Sequence, residues 1–122
     1  MPFDAYSAER IRQYFDLHKV SFYEKKMMGG LCFMVNEKMC CGLHYDKKKQ
    51  QNMLMVRIGA TAQKRHEKKE GVFPMDFTGR PMKGFLNVAD TAWDTETDLI
   101  FWLELCLAFN PLAKASKKKR AG

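Results

Sequence analysis

No stretch of this sequence approaches the roughly 18 uninterrupted apolar residues that a membrane-spanning helix needs, and the N-terminus lacks a basic segment followed by an apolar run. A soluble cytoplasmic protein without membrane contact is the expectation. Neither phosphate-cradling spacing occurs, GxGxxG or GxxxxGKS/T, and the CxxC and HExxH spacings are also missing. No metal site and no cofactor is therefore expected. Internal repeats and domain-separating linkers are absent too. With 122 residues the chain is too short for a TIM barrel or a two-lobed enzyme and fits one compact domain. Acidic residues are the scarcer charge, 14 against 21 basic, for a formal charge of +7. Five of the basic residues, Lys114, Lys117, Lys118, Lys119 and Arg120, crowd one end, and residues 1–113 hold the other 16. The high pI thus belongs largely to a basic, disordered tail over 114–122, and the domain proper is expected over 1–113.

The apolar pattern that is present predicts a mixed fold. Ala5, Ala8, Ile11, Tyr14 and Phe15 recur at three- and four-residue steps, which predicts an amphipathic helix from about Asp4 to His18 with Asp4 as its N-cap. Val20 to Tyr23 reads either as a short edge strand or as an extended connector into Glu24-Lys25-Lys26. Three antiparallel strands are expected over 31–35, 39–45 and 53–58, separated by Asn36-Glu37-Lys38 and the polar loop Asp46 to Asn52. A tight Asn36-Glu37 turn would set Cys32 opposite Cys41 and Met34 opposite Met39. Glu37 suits positive φ poorly, so a longer turn with a shifted register is the alternative. A short charged helix follows over Ala60 to Lys69, then strands near 72–77 and 85–89 around the loop Thr78 to Gly84. A last, nearly all-round apolar helix starts near Asp94 or Thr95 and runs to Phe109. The fold class read from this order is α+β, an antiparallel sheet in the order α-β-β-β-α-β-β-α.

The run Glu24 to Asn36 (EKKMMGGLCFMVN), the segments KMCCG at 38–42 and MLMVRIG at 53–59, and PMDFTGRPMKG at 74–84 closely resemble the TfoX/Sxy N-terminal domain family. The likeness runs to about Pro111. It implies the same α+β order, a fold also seen in type III secretion chaperones, and commonly a homodimer. In the proteobacterial namesakes this domain precedes one resembling helix-hairpin-helix modules and serves as a competence-gene coactivator. No such second domain is present in this sequence, and the resemblance transfers no catalytic residues. Glu37 stands where family members often carry glycine, and Lys47-Lys48-Lys49 lengthen a loop that is shorter in many of them.

Chemistry is sparse. Cys40 and Cys41, adjacent on a regular strand, would point to opposite faces and could not share a metal ion, so the four cysteines are read as buried apolar fillers. A Cys40 with His44 pair on one strand face is a weak catalytic motif. Asp76, Arg80 and Lys83, with Arg57 from the neighbouring strand, form a candidate contact for an anionic ligand or a partner's carboxylate, or else a tie for their own loop. Met34, Met39, Met53 and Met55 are a candidate interface, because the sheet is apolar on both faces and the expected helices are too few to cover both. Nucleic acid would be held at most weakly and without base reading, through Lys114, Lys117, Lys118, Lys119 and Arg120. The resulting expectation is a bacterial protein-interaction module of regulatory type. The alternative is a small-ligand binder or enzyme built on the Asp76/Arg80/Lys83 loop.

Overall fold

Asp4 caps the first helix as its short carboxylate permits. In the computed structural model, which describes residues 3–27, 29–75 and 82–114, Asp4 Oδ2 accepts from the Ser7 amide at 3.0 Å and the Ser7 hydroxyl at 2.7 Å. The helix (α1) spans Ala5–Leu17, and Ala8, Ile11, Tyr14 and Phe15 are its buried stripe. Next comes a true strand, β1 (Phe22–Met27), not a connector. Its Glu24 turns to α1, whose Arg12 grips it with both guanidinium edges, the second contact being 2.9 Å from Nη2 to Oε1. Glu24 in turn holds Arg12 firmly charged.

The remaining elements are β2 (Gly30–Val35), β3 (Lys38–Asp46), β4 (Gln51–Arg57), α2 (Gly59–His66), β5 (Val72–Pro74), β6 (Phe85–Ala89) and α3 (Glu96–Phe109), with short 3-10 turns at Asp90–Ala92 and Asn110–Leu112. All strands join one antiparallel sheet of six, in the order β1-β2-β3-β4-β6-β5. The α+β architecture matches the sequence reading, with β1 as the added strand. Thr95 caps α3, its hydroxyl accepting from the Asp98 amide at 3.1 Å.

The β2–β3 hairpin closes on the tight turn in spite of Glu37: Asn36 and Glu37 sit at φ of 55° and 64°. Met34 faces Met39 as the short turn requires, but the ladder then slips, pairing Phe33 with Cys41 and Cys32 with Gly42. Cys32 and Cys41 therefore do not face each other. Cys40 is the extra residue of a β-bulge, which breaks the alternation of side chains along the strand. Because a left-handed conformation strains any residue with a Cβ, Glu37→Gly is expected to raise stability by roughly 0.5–1 kcal/mol. The exposed contact it forfeits, Tyr23 hydroxyl to Glu37 Oε1 at 3.2 Å, is weak by comparison. Urea denaturation would read the gain as a higher midpoint at unchanged slope.

Cross-strand partners point to the same side of an antiparallel sheet. Leu31, Phe33, Leu43, Leu54, Val56, Leu86 and Val88 thus face α1 and α3 in the main core, joined by Ile11, Phe15, Trp102, Leu103 and Cys106. Both buried tryptophans are satisfied, Trp93 Nε1 donating to the Val88 carbonyl and Trp102 Nε1 to that of Ala92. The sheet's other face carries Cys32, Met34, Met39, Met55 and Phe85. Among the described residues no helix is long and apolar enough to cross a membrane.

Candidate functional site

The two cores differ in chemistry. The helix-side core contains no methionine among the described residues. The opposite cluster consists, apart from Phe85, entirely of sulfur side chains: Cys32, Met34, Met55 and Met75 are buried, and Met27, Met39 and Met82 pack around them half-buried. Cys32 Sγ lies 3.7 Å from Met34 Sδ. Among the described residues no helix contributes to this cluster. Part of its cover comes from Met75 and Met82, where the Met82 amide donates to the Met75 carbonyl at 2.8 Å. The sequence-based estimate of cover counted helices only and missed this roof.

Beside the roof, a half-open crevice of about 30 Å³ is lined by Met27, Met39, Met55, Met75, Cys32 and His44 over the two glycines Gly30 and Gly42. The glycines make the floor flat. A Cβ on Gly30 would lie 2.2 Å from the Leu43 carbonyl oxygen, and one on Gly42 would meet the Met55 methyl at 3.4 Å. His44 joins Asn87 through Nε2 and Oδ1 at 3.0 Å. Burial, in spite of nearby Lys25 and Arg57, pushes the Cys32 thiol up to about 11, so it is a neutral, apolar wall here.

The four methionines proposed from sequence fall unequally. Met34 and Met55 are buried in the sulfur cluster, Met53 is fully buried between its ladder partners His44 and Ala89, and Met39 alone keeps appreciable exposure. Arg57 lies over the Phe85 ring at 5.2 Å and donates to the Lys114 carbonyl at 3.1 Å. Lys83, exposed, borders Thr61, Gln63 and Lys64 of α2 instead. Asp76 and Arg80 lie outside the described residues, as do Lys117, Lys118, Lys119 and Arg120.

The bulge also corrects the reading of the thiols. Cys40 and Cys41 both enter the helix-side core, near Cys106 of α3. The neighbouring Cys106 and Cys41 thiols lower the pKa of Cys40. Cys40 raises that of Cys41, and burial raises that of Cys106. All four cysteines are free and buried. His44 sits on the opposite face from Cys40, so the two form no pair. Among the described residues no group of three His, Cys, Asp or Glu side chains could hold a metal ion.

One titrating group is out of its element. His66 is 9% exposed, packs edge-on against Phe101 and Trp102, and its Nδ1 has no hydrogen-bond partner among the described residues. Burial first, then Lys69 and Arg65, lower its pKa from the ordinary 6.5. The unfolded chain therefore takes up this proton more readily than the folded one, so stability is expected to fall as pH drops below about 6.5, by at most ~1.4 kcal/mol per pH unit. Urea melts between about pH 5 and 7 would show the slope, and His66→Leu should lose it.

The TfoX N-terminal domain family model matches residues 16–110. The chain belongs to this family. The match spans β1 through the end of α3, and so includes the whole sheet. In shape, this TfoX N-terminal domain is similar to the crystal structure of a protein from Pseudomonas syringae solved as a structural-genomics target. The TM-score is 0.55 at 14% identity, covering 78% of this chain and 93% of that one. No curated protein matches the chain. Sequence reasoning overlooked Met27, Met75 and Met82 as members of the domain's second core. The methionine count was the available signal, since nine in 122 residues exceeds what the main core uses.

Proposed function

We propose that this TfoX N-terminal domain protein is a cytoplasmic regulatory module that acts by protein contact, in transcriptional control of the kind its family name suggests, and that it works as a homodimer. The observation that carries this reading is the sulfur-lined second face, to which no helix contributes among the described residues. Thioethers are flexible and polarizable, which suits a contact surface that must adapt. Contact through Met39 and Met27 would come first, with Met34 and Met55 beneath them. The basic residues from Lys114 to Arg120 add only weak, salt-dependent attraction to polyanions.

Light scattering tests the dimer: a solution mass twice 14.2 kDa is expected, and a mass that stays at the single-chain value at high concentration would refute it. The regulatory role predicts altered transcript levels when the gene is deleted, restored by the wild-type chain but not by Met39→Lys. Unchanged transcripts would remove that role.

A further inference from the structure

Two cations stand beside residues that line the crevice. Lys25 stands opposite Cys32 in the β1–β2 ladder and is exposed, while Arg57 approaches from β4 over Phe85. Both are close enough to Cys32 to act on its thiol electrostatically. Among the described residues neither is paired with a carboxylate. Among the described residues, the carboxylates on or beside this face are already engaged, Glu37 by the Tyr23 hydroxyl and Asp46 by Lys49 and the amides of its own turn. Sulfur donors in such number would suit a soft metal ion, but two fixed cations and a protonated thiol oppose any cation there. An apolar pocket beside two cations that have no carboxylate partner among the described residues calls for an apolar group carrying negative neighbours.

We propose that the Met27/Met39/Met55/Met75 crevice, with Lys25 and Arg57 beside it, docks an acidic segment of a partner protein by taking up one aliphatic side chain flanked by carboxylates. This rests on the protein-contact reading above and specifies its partner. The small volume fits the tip of one such side chain, and the thioethers can shift to admit the rest. The flat glycine floor lets the segment's apolar group reach the sheet itself.

The test uses the full chain labelled at its methionine methyl groups and a short synthetic peptide alternating leucine and glutamate. On titration, the methyl resonances of Met27, Met39 and Met55 are expected to shift, and a leucine–lysine peptide should leave them in place. Lys25→Glu, at an exposed position that does not endanger folding, should weaken the acidic peptide about tenfold or more, and Lys25→Glu with Arg57→Glu should reverse the preference. Equal binding of the two peptides, shifts confined to other surfaces, or unchanged affinity in Lys25→Glu would each overturn the proposal. If the methyl groups shift when the protein alone is concentrated, a second copy fills the crevice, and the acidic-partner proposal fails while the dimer stands. A dimer whose methyl groups ignore both peptides gives the same separation.

Discussion

Gly59→Ala is expected to cost the protein about 3 kcal/mol of stability, a combination of backbone strain and overpacking. Gly59 opens α2 at a φ of 87°, which residues with a Cβ adopt only under strain. The space a methyl group would need is already taken: its carbon would lie 2.6 Å from the Phe109 ring. Retreat is blocked, because the Gly59 and Ile58 amides both donate to the Gly84 carbonyl, at 3.0 and 2.9 Å, and the Gly84 amide donates to Gln63 Oε1 at 2.7 Å. Denaturant unfolding would measure the loss. Adding Phe109→Ala should recover part of it, since that change removes the clash and leaves the strain; full additivity of the two losses would contradict the packing account.

The second large effect is expected at Asn110, buried where α3 ends. Its Nδ2 donates to the Val35 carbonyl at 3.1 Å and its Oδ1 accepts from Asn36 Nδ2 at 2.7 Å, so one side chain fastens the β2–β3 turn to the last helix. Asn110→Leu keeps the volume and strands the Val35 carbonyl without a partner, which costs about 2 kcal/mol. Lys38, whose ammonium donates to the Asn110 and Pro111 carbonyls from a more exposed position, should matter less, and Lys38→Met is expected to cost under about 1 kcal/mol. Hydrogen exchange should show the hairpin amides opening sooner in Asn110→Leu than in Lys38→Met. Equal protection in the two variants would show that the asparagine is not the tie.

These two fastenings show where one-dimensional reasoning ends. The apolar steps of α1, the Asp4 and Thr95 caps and the strand runs were legible because each depends on neighbours within a few positions. The tight Asn36-Glu37 turn was legible as well, down to the Met34–Met39 pairing. The slip at Cys40 was not, since nothing local marks a bulge, and that one extra residue decided which thiols share a core. Gly59 against Phe109, Asn110 against Val35, and Arg12 against Glu24 join segments whose spacing carries no periodicity.

By itself the sequence determined the α+β class, the caps, most strands and the likeness to the TfoX N-terminal domain, because local hydrogen bonding and side-chain alternation follow from residue order. Only the tertiary structure decided that Met27, Met34, Met39, Met55, Met75 and Met82 share a second core, that Lys25 and Arg57 stand beside its crevice, and that Arg57 and Lys83 face different surroundings. Those outcomes depend on which distant segments compete for the same apolar area, and that competition is settled in three dimensions.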